Sequence, residues 1–538
     1  MKSIGLRNVK AFVDTGDIEI APITIFVGRN SCGKSSFIRF PKVLAQTFAS
    51  GFDMPIYLNG TQADSIDYGT FQEVLHNGSG EGFSVSLTYP VSLKKIEDYK
   101  FRHSSIARKY DADNEYNDEV QIIITYSMPL NDHPGLGKKV YATKIELYIN
   151  HNFFSSFTKI KETKEYAFKQ RKTIDNGRLI DVDFEFRIKS NMIQNFMPAF
   201  DVSDSFPAIC KAYLGECEKE ARELYTSFII PSARKKLFNS LHIEDEMIDD
   251  AAGREVNEAQ KKVIDAFDAF QVSSSVFTHI YECMRYEFEN LRYIGPFRSA
   301  PKRFYRVDEI EHGDVGVNGD YTSSLLINTD ASFVKEVSKW LADAMDYGIK
   351  VSEVGNGTGL YQITVVDKKT NKESNLMDVG YGISQVLPIV TQMKKAQQKT
   401  TERSTHNRIC AYPEIFIIEQ PELHLHPAAQ SELASLFANT VTGGKADKNR
   451  RLFIETHSEH LIRSLQYLIA IPDSPLTRDM VKFYYIDKTE ENGSIIKEMK
   501  TNEYGQFLEP WPTGFFDEAH IMSKKLLEAI VNRKYSQK

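Results

Sequence analysis

Gly28-Arg29-Asn30-Ser31-Cys32-Gly33-Lys34-Ser35 follows the apolar run Ile23 to Val27 and opens into a helix-like segment from Ser36 onward. A strand, a glycine-bearing turn and a helix in this order read as a phosphate-binding loop. Consecutive backbone N–H groups and the positive end of the helix face the phosphates, and the glycines let the backbone come close. On this reading Gly28, Arg29, Asn30, Ser31, Cys32, Gly33, Lys34, Ser35 and Ser36 contact the nucleotide. Lys34 neutralises the β- and γ-phosphates, and Ser35 ligates Mg2+.

The rest of the chain bounds what surrounds this loop. With 538 residues there is room for two to four compact units. The 66 basic and 73 acidic residues leave a net charge of -7, so contact with nucleic acid must come from local patches. Five cysteines, Cys32, Cys210, Cys217, Cys283 and Cys410, form no C-x-x-C pair, which argues against a disulfide framework or a zinc knuckle. No apolar run reaches about 18 residues, and Met1-Lys2-Ser3-Ile4-Gly5 lacks the apolar core of a signal peptide. The expectation is a soluble, cytoplasmic protein with no membrane partner.

Ahead of the loop, Ile4 to Glu19 reads as short strands, and Phe12 belongs either beside an adenine or in the core. Behind it, Phe37 to Phe48 has helical spacing interrupted by Pro41. Gln72, just after the turn at Gly69, is a candidate for a glutamine that senses Mg2+ and the γ-phosphate. From Gly82 to Arg187 the period becomes two, in Phe83 to Leu87, Val120 to Tyr126, Ala142 to Ile149 and Val182 to Ile188, which predicts an antiparallel sheet. Lys159 to Lys172 is basic and aromatic there: a solvated strand face is the first reading, a contact for DNA or another anion the second. Between Lys189 and Asn290 helical spacing returns, over Cys217 to Phe228, Arg254 to Phe270 and Val276 to Leu291. Arg298, Arg303 and Arg306 follow, read first as partners for acidic residues of a neighbouring lobe and second as contacts for phosphates of a nucleotide or nucleic acid.

Three later segments carry chemistry. Met377 to Gln385 places Gly380, Gly382 and Ser384 at the start of an apolar helix, a second anion-binding device suited to a nucleotide held by a partner chain. Ile415 to Ile418 is a buried strand delivering Glu419 to the carboxyl edge of a sheet as a Mg2+-associated acid. Gln420 stands where a related hydrolase places a second carboxylate. An amide can orient water but cannot accept its proton, so hydrolysis should be slow unless Glu422 or another group serves as base. His424 and His426 read as packing or interface residues rather than metal ligands. Arg451 to Thr456 is a further apolar strand that ends at His457, within reach of the γ-phosphate. Asp517-Glu518-Ala519-His520 spells a helicase motif without a buried strand before it, and is set aside.

Taken together these motifs resemble the ABC-type ATPase heads of the SMC-like and OLD-like families. The resemblance implies an α/β fold: a P-loop head of two lobes, mixed sheet plus antiparallel sheet, with a helical insertion. The expected division is residues 1–188, 189–290 and 291–538. It implies ATP and Mg2+ as cofactors, with Lys34 and Ser35 as Walker A residues, Gln72 as Q-loop and Gly380 to Ser384 as signature. It further implies Glu419 as Walker B, Leu425 and His426 as D-loop, His457 as H-loop, and an ATP-dependent homodimer. Tyr293-Ile294-Gly295-Pro296, the stretch from Glu419 to Pro427, and Trp511 to Glu518 look more like the ATPase subunits of bacterial antiphage systems, above all the Septu ATPase PtuA and its retron-associated versions. In that family the ATPase partners an HNH nuclease, PtuB, and in retrons also a reverse transcriptase with its RNA-DNA hybrid. Two departures stand out: the signature is not Leu-Ser-Gly-Gly-Gln, and Gln420 replaces the catalytic glutamate. No Toprim pattern follows His457, so a nuclease would lie on another chain. The rival readings are an SMC-like DNA-repair ATPase and a scaffold that binds ATP with little hydrolysis.

Overall fold

The computed structural model describes residues 1–50, 56–60, 64–78, 80–94, 117–128, 140–160, 163, 165–189, 192–194, 197–199, 208–213, 258–306, 312–355, 357–398, 413–443, 450–489 and 493–512. In chain order its strands are β1 (Ser3–Val9), β2 (Phe12–Glu19), β3 (Ile23–Gly28), β4 (Gly82–Val91), β5 (Asp118–Ser127), β6 (Tyr141–Ile149), β7 (Asn152–Lys159), β8 (Glu165–Asp175), β9 (Arg178–Lys189), β10 (Met192–Gln194) and β11 (Met197–Ala199). They continue as β12 (Leu291–Ile294), β13 (Tyr305–Arg306), β14 (Tyr347–Glu353), β15 (Leu360–Asp367), β16 (Glu373–Asn375), β17 (Glu414–Glu419), β18 (Arg450–Glu455), β19 (Val481–Thr489) and β20 (Gly493–Glu498). The helices are α1 (Lys34–Ala49), α2 (Phe71–Val74), α3 (Glu258–Glu289), α4 (Thr322–Asn328), α5 (Ala331–Met345), α6 (Tyr381–Gln397), α7 (Pro427–Thr442) and α8 (Glu459–Ala470).

One mixed sheet of 14 strands organises the chain, in the order β12-β17-β18-β3-β19-β20-β2-β1-β4-β5-β6-β7-β8-β9. From β12 to β19 neighbours run parallel; from β19 to β9 they run antiparallel. The α/β expectation holds, and the period-two segments are β4, β5, β6 and β9. The two expected lobes share this sheet, because β3 from the first lies between β18 and β19 from the second. A small antiparallel sheet of β13 to β16 stands apart.

The parallel half is covered on both faces, which is why its strands are continuous apolar runs rather than alternating ones. Phe26, Ile415, Ile417 and Phe453 point to a core shared with α1 and α3. Ile25, Val27, Phe416, Ile418 and Ile454 point to a core shared with α5, α6, α7 and α8. Phe12 is fully buried and meets Phe37 edge-on, so it is a core residue.

Two local expectations change. α1 continues through Pro41, which sits inside the helix on its buried face. Arg254 to Phe270 and Val276 to Leu291 are not separate helices, since α3 runs unbroken over 32 residues from Glu258. The polar link between them is held by packing: Ser273 is fully buried and bonds Ser155 of β7 at 2.7 Å, and tertiary contact overrides weak helix propensity. Cys217 to Phe228 and Asp517 to His520 lie outside the described residues, as does all but the first two residues of Trp511 to Glu518. Among the described residues of the basic stretch on β7 and β8, Lys159, Arg171 and Lys172 have partners. Arg171 meets Asp183, Lys172 meets Asp181 at 2.6 Å, and Lys159 lies over the Tyr141 ring. Among the described residues no helix is long and apolar enough to cross a membrane.

Candidate active site

β3 ends at Gly28, and α1 starts at Lys34 with Gly33 as its N-cap. Gly28 has φ of 149°, and a Cβ there would lie 2.1 Å from the Ile486 carbonyl oxygen on β19. Gly33 has φ of 98°, and a Cβ there would meet Ala11 at 2.9 Å. Both positions demand glycine. No side chain caps α1, so its first N–H groups remain available to an anion. Arg29, Asn30 and Ser31 are exposed along the rim; Cys32 is buried, and burial pushes its thiol up. Lys34 is folded onto the loop, donating to the Gly28 carbonyl at 3.0 Å and the Arg29 carbonyl at 2.7 Å. The Ser36 carbonyl accepts from the Tyr68 hydroxyl at 2.6 Å.

Two carboxylates end adjacent parallel strands and are register partners: Glu419 on β17 and Glu455 on β18. They are 1% and 2% exposed. Arg39 of α1 grips Glu419 with Nε to Oε1 and Nη2 to Oε2, each at 2.6 Å, and the Tyr293 hydroxyl donates to Oε1 at 2.6 Å. This explains Tyr293 in the Tyr-Ile-Gly-Pro phrase: β12 delivers it beside β17. Burial and the Glu419 charge push the Tyr293 hydroxyl well above its usual range. Glu455 accepts the Ser35 hydroxyl, at 3.0 Å to Oε1 and 2.8 Å to Oε2. Burial, with the neighbouring Glu419 charge, pushes its carboxyl up to about 7. Sequence reading missed both Glu455 and Arg39. The available signals were a carboxylate at the end of an apolar strand two residues before His457, and an arginine one helical turn beyond Ser35.

Arg298, buried, pins the end of β17 by donating to the carbonyls of Glu419 at 2.7 Å and Gln420 at 3.2 Å. Its guanidinium is pushed down to about 10 by burial, against the raising effect of Glu422 and Glu419. Gln420 turns sharply, with φ of 46°, and its N–H donates to the Glu455 carbonyl at 2.8 Å. Glu422 accepts the His457 backbone N–H at 2.6 Å, and burial raises its carboxyl. The His457 ring is pushed down to about 4 by burial, then by the Lys34 charge, so it is neutral at physiological pH. Lys34, Ser35, Glu419, Gln420, Glu422, Glu455 and His457 therefore gather at the carboxyl edge of the parallel strands.

The remaining predicted residues lie differently. Gln72 is exposed and its amide donates to the Gly78 carbonyl; among the described residues no hydrogen bond joins it to Ser35 or Glu419. Gly380 caps α6 in an exposed position, and a Cβ on Gly382 would lie 2.8 Å from the His424 carbonyl oxygen. Ser384 is buried and donates to the Tyr381 carbonyl at 2.9 Å, so the helix mouth presents Tyr381, 68% exposed, in its place. His426 accepts the Ala428 N–H as N-cap of α7, and His424 lies near the Tyr381 ring. Arg303 pairs with Asp378 through two bonds of 3.0 and 2.7 Å, an acidic partner within the same expected lobe rather than a neighbouring one, whereas Arg298 meets backbone carbonyls. Among the described residues no cluster of three or more His, Cys, Asp or Glu could hold a metal by itself. Hard oxygen donors from Ser35 and the strand-end carboxylates fit Mg2+, which takes one or two protein ligands and completes its shell with phosphate and water.

Comparison with solved structures finds the Smc head domain with an extended coiled coil bound to the C-terminal domain of ScpA, derived from Pyrococcus furiosus. The identity is 9%, the alignment covers 98% of each chain, and the TM-score is 0.36. The SMC head domain from Thermotoga maritima aligns at 10% identity over 93% of this chain and 99% of that one, with a TM-score of 0.32. No curated protein matches. Residues 476–526 match a family described as a protein of unknown function, DUF3696. Residues 1–462 match the AAA ATPase domain, and this chain belongs to that family.

Proposed function

We propose that the chain binds ATP with Mg2+, hydrolyses it slowly, closes as a homodimer around the nucleotide, and in that state regulates a partner HNH nuclease of a Septu- or retron-type antiphage complex. The observation that carries the ATPase part is the convergence of Lys34 and Ser35, at the mouth of α1, with two strand-end carboxylates and a neutral histidine. Lys34 leaves the loop carbonyls for the phosphates, whose negative charge repays the lost bonds. Ser35 and a strand-end carboxylate beside it hold the cation, which when bound neutralises phosphate charge. His457, neutral and half-buried, donates to or accepts from the terminal phosphate. Gln420 orients water without removing its proton, which keeps turnover low.

The dimer reading is supported by the surface around α6. Tyr381 and Met377, at and just before the start of α6, are 68% and 53% exposed, which is unusual for large apolar side chains near a polar site. Gly380 and the first turn of α6 offer backbone donors there. The antiphage reading is supported by the three sequence phrases around Tyr293, Glu419 and Trp511. The scaffold reading is favoured by one observation, that both Gln420 and the clamped Glu419 lack a free carboxylate for proton removal. Copurification of the full chain with its genomic neighbours, with ATP present, tests the proposal. A nuclease that comes along with the parent and is lost with Lys34→Ala supports it; a chain that emerges alone in both cases removes the partner.

A further inference from the structure

We infer that Glu455 is the carboxylate this chain presents to the nucleotide's divalent cation, and that Arg39 and Tyr293 withhold Glu419 from it. The inference rests on the ATPase reading and deepens it. The two acids are equivalent by position, since they end neighbouring parallel strands in register. Their partners are not equivalent. Glu419 has a bidentate guanidinium on its two oxygens and a phenol on one of them, all at 2.6 Å. Such a charge-assisted fork is among the stronger polar contacts available to a side chain, and a cation entering Glu419 must first break it. Once the fork opens, Arg39 is left as a partly buried, unpaired charge.

Glu455 is as deeply buried, yet among the described residues no salt bridge reaches it. Among the described residues its side-chain bonds come from the neutral hydroxyl of Ser35, shared between both oxygens. A buried carboxylate that no cation meets directly is costly even with the Lys34 and Arg39 charges near it, and a divalent ion held at Glu455 would offset that cost without opening the Arg39 fork. The donor that accompanies it is the loop serine, so hydroxyl and carboxylate already stand side by side. Two hard oxygens from the protein leave room for phosphate and water, the mixed shell that Mg2+ and Mn2+ favour. Glu419 then becomes a positioning residue: through Arg39 it fastens α1, and so the phosphate loop, to the end of β17.

The test is equilibrium binding of ATP to the full chain in Mg2+ and in EDTA, with protein-bound Mn2+ followed by electron paramagnetic resonance. For Glu455→Gln we expect ATP affinity in EDTA equal to or tighter than the parent's, and Mn2+ affinity in the ATP complex at least tenfold weaker. For Glu419→Gln, which leaves Arg39 unpaired and loosens the phosphate loop, ATP affinity falls in EDTA as well, and the further change in Mn2+ affinity of its ATP complex is under threefold. Should Glu455→Gln not fold, Glu455→Asp serves instead, keeping charge but moving the carboxylate back, with an expected loss of several-fold in Mn2+ affinity alone. Retained Mn2+ affinity in the Glu455 variants, or a tenfold loss in Glu419→Gln, overturns the inference. Absence of ATP binding by the parent in both buffers overturns the ATPase reading instead.

Discussion

Gln420 and His457 set the chemistry that single side chains allow here. On the proposed mechanism Gln420 leaves the attacking water without a base at that position, so Gln420→Glu should raise steady-state ATP turnover by on the order of 100-fold, the lower end of general-base assistance. Unchanged turnover would show that proton removal is not limiting. His457 carries a pH signature. Its folded value of about 4 lies below the ordinary 6.5, so the native state binds fewer protons than the unfolded one between those values. Its contribution to stability is therefore full above pH 6.5 and is lost as pH falls through 4. Glu455 acts in the opposite sense, contributing most at low pH and losing it as pH rises toward its folded value of about 7. Comparing urea denaturation of the parent and His457→Gln at pH 7.5 and 4.5 isolates the histidine. The parent should lose about 1–2 kcal/mol more than the variant on acidification, less than the full shift because the ring is partly solvated. What the sequence disclosed at this scale was local: a loop lysine, a strand-end acid and a histidine are recognisable from their immediate neighbours. Glu455 and Arg39 were not, because their roles depend on the pairing of β17 with β18 and the angle of α1, neither of which is written in adjacent residues.

Elements position these side chains through a few cross-links, of which the strongest joins α1 to β17. Arg39 pairs with Glu419, Tyr293 joins from β12, and Arg298 holds the backbone where β17 ends. Removing one member leaves the others buried without compensation. Arg39→Met keeps the side chain's length and apolar stem but strands Glu419, and should cost about 3–5 kcal/mol in chemical denaturation. A loss under 1 kcal/mol would mean that Glu419 takes up a proton or a new partner at little expense. Apolar runs made β3, β17 and β18 readable because both faces of the parallel sheet are covered, and alternation made β4, β5, β6 and β9 readable between their polar turns. α3 was misread as two helices because Ser273, Ser274 and Ser275 break the apolar period locally, while β7 across the core supplies the bond that Ser273 needs.

At the scale of the molecule, one sheet unites the nucleotide edge with an antiparallel wing running from β4 to β9. Met377 and Tyr381 are exposed beside the start of α6, and the proposed dimer gives them a partner. Tyr381→Asp introduces a charge at the mouth of α6 and should abolish an ATP-induced doubling of mass in light scattering, while ATP binding by the single chain changes less than threefold. A doubling that survives the substitution would move the interface elsewhere.

The proposed ATPase cycle and the assignment of Glu455 to the cation both require a nucleotide seated at the mouth of α1 with its phosphates on Lys34. Calorimetric titration of the full chain with ATP and Mg2+, parent against Lys34→Ala, addresses this most directly. The account predicts saturable binding by the parent and at least a tenfold loss of affinity in the variant, with the fold retained by circular dichroism. Equal binding by both proteins would contradict it.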